Sequence, residues 1–209
     1  MDRKGILLVV SGFSGAGKGT LMKELVSRYD NYALSISATT RSPREGELDG
    51  REYFFRTKEE FEQMIADDAL IEHACYVGNY YGTPRAYVEE QLALGRDVIL
   101  EIEIQGALQI KKRFPDTLLL FVSTPDAETL KNRLIGRGTE SLDVVEKRLS
   151  RASEEAEGIE NYDYFIINDD LDTCVTQVHQ IIQGEHSRVS RNLELINTIK
   201  KDISKFQKG

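Results

Sequence analysis

A glycine-rich segment near the N-terminus has residue types that suit the binding of a phosphate chain. Gly12, Gly17 and Lys18 have the spacing G-x-x-x-x-G-K of the phosphate-binding P-loop. Glycines let the backbone turn several N–H groups toward one anion, and the lysine adds a mobile positive charge. The pattern also predicts Ser or Thr after the lysine, to hold magnesium, but Gly19 stands there and the hydroxyl follows at Thr20. The full candidate loop consists of Gly12, Phe13, Ser14, Gly15, Ala16, Gly17, Lys18, Gly19 and Thr20.

Arginine and hydroxyl side chains further along form a second group that suits phosphate. Arg41 and Arg44 are three residues apart and follow Ser37, and guanidinium forks match the geometry of phosphate oxygens. Taken alone, this segment also fits a solvated basic loop. Tyr53 and Tyr81 could donate hydroxyl groups to the same phosphate, or they could be core aromatics with exposed tips.

Three glutamates stand in or beside apolar runs. Glu72 could accept two N–H bonds from a guanine edge, or it could occupy an exposed strand position. Glu101 and Glu103 are predicted to share one face of a strand whose other face carries Ile102 and Ile104. Like charges beside a buried sheet require cations or donors nearby. An acid at a strand end that faces magnesium would explain one of the pair.

The elements that must position these residues alternate along the chain. Apolar runs predict buried parallel strands at 6–10, 98–104, 118–122 and 164–167. Helical patterns are predicted at 20–29, 84–94 with Thr83 as N-cap, 105–114, 126–135 and 142–157. This alternation predicts an α/β fold with a parallel sheet flanked by helices. Ligands of such sheets bind beyond the carboxyl ends of the strands, where the candidate loop lies.

Residues 36–88 interrupt the alternation and predict a small α+β insertion. A capping box from Thr57 to Glu60 opens a short helix, and aromatic pieces at 52–56 and 70–76 are strand-like. The chain is thereby predicted to divide into a core, this insertion, a lid and a C-terminal helix. The core comprises residues 1–35, 89–135 and 148–184, and the lid comprises residues 136–147. The C-terminal helix comprises residues 185–209. It belongs to the helical stretch 171–206, which is predicted to pack on the core.

Composition restricts the class of partner. The net charge of −8 argues against a general nucleic-acid binder, yet arginines cluster locally in two groups. The members are Arg41, Arg44 and Arg51, and then Arg133, Arg137, Arg148 and Arg151. No apolar run is long enough to predict a membrane span. Cys75 and Cys174 match no zinc or redox spacing, which predicts two reduced, buried thiols in a cytoplasmic protein.

From about residue 5 to about residue 185 the chain resembles the guanylate kinases, P-loop enzymes that phosphorylate GMP from ATP. The likeness rests on six ordered motifs: the P-loop, T-T-R-x-P-R-x-G-E at 39–47, G-N-Y-Y-G at 78–82, Q-G at 105–106, G-R-G-T at 136–139 and N-D-D at 168–170. The resemblance implies a P-loop NTPase core, a GMP-binding subdomain at 36–88 and a lid.

The resemblance also implies a role for each matching side chain. The P-loop would bind ATP, Arg137 and Arg148 would close over its phosphates, and Asn168 would meet adenine. The GMP phosphate would be held by Ser37, Arg41, Arg44, Tyr53 and Tyr81, and guanine would be read by Glu72 and Thr83, with Glu101 or Glu103 nearby. The implied catalytic set is Lys18, Arg41, Arg44, Arg137 and Arg148. Magnesium is expected as cofactor, held through water and nucleotide oxygens, and no protein ligand is assigned to it.

Two other functions are compatible with parts of the pattern. Guanylate-kinase-like scaffold domains keep the fold and bind peptides, but Lys18 and Arg148 favour an enzyme here. A related kinase could act on adenylate or a ribose phosphate, although the Tyr-Tyr-Gly segment and Glu72 favour GMP. The sequence leaves the oligomeric state open, because the last helix could pack on its own core or bridge two subunits.

Overall fold

The computed structural model describes residues 4–76, 78–136 and 142–206. Its strands are β1 (Leu7–Gly12), β2 (Tyr32–Leu34), β3 (Ala38–Thr39), β4 (Phe54–Phe55), β5 (Leu70–Tyr76), β6 (Asn79–Pro84), β7 (Asp97–Glu101), β8 (Leu118–Ser123) and β9 (Tyr164–Ile167). Its helices are α1 (Lys18–Arg28), α2 (Lys58–Ala66), α3 (Arg85–Ala93), α4 (Ile104–Arg113), α5 (Ala127–Ile135), α6 (Leu142–Ala156), α7 (Leu171–His186) and α8 (Leu193–Lys205).

The main sheet is parallel and has the strand order β2-β7-β1-β8-β9. Alternate residues of β1 face two cores: Leu8 and Val10 pack with α1 and α7, while Val9 packs with α3 and α4. Each fully buried side chain of this kind contributes about 1.5–3 kcal/mol relative to an exposed one. The predicted α/β fold is therefore confirmed, and β1 ends in the centre of the sheet where the glycine-rich loop begins.

A smaller sheet has the order β4-β3-β6-β5, with β6 antiparallel to both neighbours. Helix α2 packs on it through Phe61, which is fully buried beside Ala38 and Leu70. The predicted capping box is confirmed, because Thr57 Oγ1 accepts from the Glu60 N–H at 3.1 Å and the Glu60 carboxylate accepts from the Thr57 N–H at 2.8 Å. This α+β unit is held to the main sheet by contacts between β5 and α4.

The prediction that Glu101 and Glu103 share a strand face is wrong. Strand β7 ends at Glu101, and Glu103 precedes the first turn of α4. The carbonyl of Ile102 accepts a 2.7 Å hydrogen bond from the Ser11 hydroxyl, so a side chain satisfies this group just beyond the ladder. Glu101 is therefore the last residue of a strand, whereas Glu103 is the N-cap residue of α4.

The prediction of Thr83 as a helix cap is also wrong. Thr83 belongs to β6, the N-cap position of α3 is Pro84, and the Thr83 hydroxyl is used elsewhere. The cysteines differ from the prediction as well, since Cys174 is buried but Cys75 is exposed.

The C-terminal stretch 171–206 forms two α-helices rather than one. Helix α7 buries Val175, Val178 and Ile182 against the main sheet and α1, as a core-packing helix should. Helix α8 has no buried residue. In the described part of the chain, no helix has the length and hydropathy required to cross a bilayer.

Candidate active site

The loop between β1 and α1 has the backbone that the P-loop pattern predicts. Gly12, Gly15 and Gly17 have φ angles of 151°, 95° and 88°, a region that L side chains rarely adopt. A Cβ at Gly12 would lie 2.0 Å from the Val122 carbonyl oxygen of β8. The close approach of the loop to the sheet therefore requires glycine, and the first N–H groups of α1 open toward the same loop.

Lys18 lies at the start of α1 and reaches back over the loop. Its Nζ donates to the carbonyl oxygens of Gly12 at 2.7 Å and Phe13 at 3.1 Å. These bonds hold the ammonium group beside the anion-binding backbone. Arg148 reaches the same loop from α6, where its Nη1 donates to Ser14 Oγ at 3.0 Å. The structure thus brings two of the predicted donor-side cations to one loop.

Asn168 contacts the loop itself. Its buried side chain donates from Nδ2 to the Ala16 carbonyl at 2.8 Å and lies close to Gly17, where a Cβ would be 2.6 Å from it. Asn168, which directly follows β9, therefore stabilises the conformation of the loop. Its predicted contact with adenine stays a prediction. Arg137 lies outside the described residues, as does most of the glycine-rich part of the predicted lid.

In the arginine segment, Arg41 is held in place by the carboxylate of Glu47, a residue outside the predicted site. The Arg41 Nη2 atom lies 2.9 Å from Glu47, and its Nη1 donates to the Ser42 carbonyl at 2.7 Å. Glu47 also accepts the Arg44 N–H at 2.7 Å. That backbone bond, followed by the Arg41 guanidinium, keeps the pKa of Glu47 below its usual range. The spacing R-x-x-R-x-G-E is the sequence signal that could have identified Glu47 as the partner of these arginines. The Arg44 side chain itself is exposed.

Two tyrosines stand beside Arg41. The Arg41 guanidinium lies 5.3 Å from the centre of the Tyr53 ring, which meets Tyr81 edge to face at 6.1 Å between centroids. Loss of hydration raises the pKa of Tyr53, so its hydroxyl stays protonated and able to donate. A cleft of about 210 Å³ joins Tyr53 and Ser37 to Glu101 of the main sheet.

Glu72 is buried, which excludes the exposed-strand alternative. One of its oxygens accepts from the Thr83 hydroxyl at 2.7 Å, and Gly106 at the start of α4 leaves room for the other. A Cβ at Gly106 would lie only 2.9 Å from that second oxygen. Burial raises the pKa of Glu72 to about 7, with the Thr83 bonds opposing the shift. Burial therefore favours the neutral form of Glu72 until further hydrogen-bond donors stabilise its charge.

The acids at the end of β7 have different neighbours. Glu101 faces the P-loop: a Cβ at Gly19 would lie 3.8 Å from its Oε2. Water reaches the Glu101 carboxylate, but the walls of the cleft surround it, so lost hydration raises its pKa while Lys18 and Lys23 oppose that change. Glu103 instead pairs with Arg151 of α6 at 2.8 Å. Among the described residues, no three His, Cys, Asp or Glu side chains form a group that could hold a metal.

Known proteins carry the same pattern over most of this chain. The sequence model of the guanylate kinase family matches residues 4–185. Guanylate kinases of Bacillus cereus and Streptococcus thermophilus are 52% and 50% identical to it, and each match covers 91% of this chain and 93% and 92% of the relative. The guanylate kinase of Streptococcus agalactiae is 47% identical over 98% of this chain and 99% of its own length.

A solved structure agrees with the sequence comparisons. The crystal structure of guanylate kinase from Anaplasma phagocytophilum superposes with a TM-score of 0.73 at 30% identity, covering 90% of this chain and 89% of that one. The P-loop on a parallel sheet, the arginine and tyrosine cluster opposite it and these matches agree. The chain belongs to the guanylate kinase family.

Proposed function

We propose that this chain transfers the γ-phosphoryl group of ATP to GMP, giving ADP and GDP, with the P-loop as donor site and residues 36–88 as acceptor site. The observation that carries the proposal is the cleft in which Glu101, beside the P-loop, meets Ser37 and Tyr53 of the smaller α+β unit. A site that joins two phosphate-binding groups fits a transfer between two nucleotides better than hydrolysis of one.

The donor side would bind ATP through the backbone N–H groups of the P-loop and through Lys18. This loop favours negative charge because its glycine backbone, the N-terminus of α1 and the Lys18 ammonium group lie together. Arg148, already on Ser14, would stabilise the charge that spreads over the transferring group. Arg137 is assigned the same role from its place in the motif alone.

Magnesium is the proposed divalent cofactor, and the residues present fit it. The Glu101 carboxylate faces the position after Lys18 where many P-loops carry a hydroxyl. Mg²⁺ binds one or two carboxylates together with water and substrate phosphates. Glu101 would hold the ion through water and nucleotide oxygens, with Thr20 on the exposed side of the loop. When bound, Mg²⁺ would neutralise charge on the donor phosphates.

The acceptor phosphate would be bound by Arg41, Arg44, Ser37, Tyr53 and Tyr81. The bonds from Arg41 to Glu47 and its ring contact fix the guanidinium fork before any phosphate arrives. This arrangement supports positioning of the acceptor, which supplies much of the rate of phosphoryl transfer because no covalent enzyme intermediate is needed.

The base would be selected by the buried Glu72 with Thr83. A carboxylate accepts both N–H groups of the guanine edge, and adenine presents an acceptor at one of those positions. The wrong base would therefore leave a buried carboxylate without its donors, which is a strong basis for discrimination. Glu103, close to the same end of α4, would complete the guanine side.

The test is a coupled assay of the purified chain with ATP and Mg²⁺ across GMP, dGMP, AMP, CMP and UMP. We expect turnover with GMP and identification of ADP and GDP as products. Glu72→Gln should reduce kcat/KM for GMP by about a hundredfold. The exposed-helix variant Glu59→Gln is the matched control. Turnover with AMP but none with GMP would contradict the base assignment.

A further inference from the structure

Arg151 on α6 connects two acids that come from different parts of the molecule. Its Nη2 atom donates to Glu103 at 2.8 Å, and its Nε donates to Glu155 Oε1 at 3.2 Å. Glu155 is one helical turn along α6, whereas Glu103 precedes α4. A guanidinium fork that serves two carboxylates at once is held in one orientation by both of them.

Glu155 is a constrained partner in this bridge. Only 19% of its side chain is exposed, and its second oxygen is buried without a hydrogen-bond partner among the described residues. Lost hydration raises the pKa of Glu155, Arg151 and Lys18 oppose that shift, and Glu103 adds to it. Arg151 is therefore the cation that separates two acids which would otherwise repel each other.

The bridge ends beside the proposed guanine site. Glu103 precedes the first turn of α4, and Gly106 in that turn lies against the buried Glu72 carboxylate. On the other side, α6 places Arg148 on the P-loop only three residues before Arg151. Helix α6 therefore contacts the P-loop through Arg148 and contacts Glu103 through Arg151.

We infer that Arg151 is a positioning residue that fixes the Glu103 carboxylate for GMP and thereby connects the base pocket to helix α6. The inference rests on the proposed function. Arg151 would affect GMP binding by orienting Glu103, and Glu155 would affect it by orienting Arg151. Loss of Arg151 would remove the guanidinium that contacts both Glu103 and Glu155, whose charges repel each other. The affinity for GMP should then fall, whereas binding of ATP at the P-loop should not change.

The test is steady-state kinetics of Arg151→Gln with each substrate varied in turn. We expect KM for GMP to rise about fivefold, with kcat and KM for ATP within about twofold of the wild type. Arg151→Lys keeps a charge for one acid but loses the fork, so its KM for GMP should be intermediate. Glu154→Gln, at an exposed neighbouring position of α6, should match the wild type.

Glu155→Gln provides a second route to the same result if Arg151→Gln folds poorly in thermal unfolding. It removes one anchor of the fork and should raise KM for GMP in the same direction by a smaller factor. An unchanged KM for GMP in both variants would overturn the inference. A raised KM for ATP with lowered kcat would also overturn it, because Arg151 would then serve the donor phosphates. A wild-type protein that does not phosphorylate GMP would instead contradict the proposed function.

Discussion

The P-loop and the arginine segment at 39–47 both suit phosphate, but they are built from different parts of the chain. The P-loop uses backbone N–H groups, and its shape is set by Gly12, which packs against β8, and by Asn168, which donates to the Ala16 carbonyl. The arginine segment uses side chains, and Arg41 is charge-balanced by Glu47 before a ligand binds. One site depends on backbone geometry, and the other depends on ion pairs between side chains.

This difference predicts unequal sensitivity to substitution. Backbone geometry cannot be replaced by a neighbouring side chain, and Lys18 adds its charge at the point where the loop meets α1. Partly exposed ion pairs contribute at most about 1 kcal/mol each, so single changes among them should alter the acceptor affinity in small steps. The donor side should therefore show the larger losses of activity.

The largest effect is expected for Lys18→Ala. Removal of a positioned cation from the donor phosphates should lower kcat by about a thousandfold, because charge that develops during transfer would lose its partner. Circular dichroism and thermal unfolding would verify the fold, and Lys131→Ala, at an exposed position of α5, is the control. A folded variant with unchanged kcat would remove Lys18 from the proposed mechanism.

The second prediction concerns the stability cost of the buried acid on the acceptor side. The Glu72 carboxyl has a pKa of about 7 instead of its ordinary 4.5, so between these values the folded protein binds more protons than the unfolded chain. The free energy of unfolding should therefore fall as pH rises from 4.5 to 7, by about 3 kcal/mol at most. Urea unfolding at pH 5 and pH 8 should show a flatter profile for Glu72→Gln than for the wild type.

Other titrating groups also change stability over this range, so the comparison must be between variants. Glu59→Gln removes an exposed acid from the first turn of α2 and should follow the wild-type profile. If Glu72→Gln keeps the same pH slope as the wild type, Glu72 is ionised at its ordinary pKa, and the account of its burial is wrong.

The two regions also differ in how far the sequence predicts them. The P-loop is predicted by local spacing, because its glycines and Lys18 all lie within residues 12–18. The burial of Glu72 does not, since it depends on Gly106 from α4, and that contact joins separate elements. Thr83 shows the same limit: local rules favour a helix cap before Pro84, whereas Thr83 lies in β6 and its hydroxyl donates to Glu72. Arg151 was visible in the sequence, but its pairing with Glu103 joins two separate elements and required the fold.

The smallest effect is expected for Glu47→Gln, and its direction distinguishes two roles for this acid. Glu47 anchors Arg41 and the Arg44 backbone, but its negative charge also competes with an incoming phosphate for Arg41. Because the side chains of both partners are less than a fifth exposed, we expect the lost order to outweigh the freed charge. KM for GMP should rise about threefold with kcat little changed. A lower KM would mean that Glu47 restrains Arg41 more than it positions it, and the two phosphate sites would then differ less than their geometry suggests.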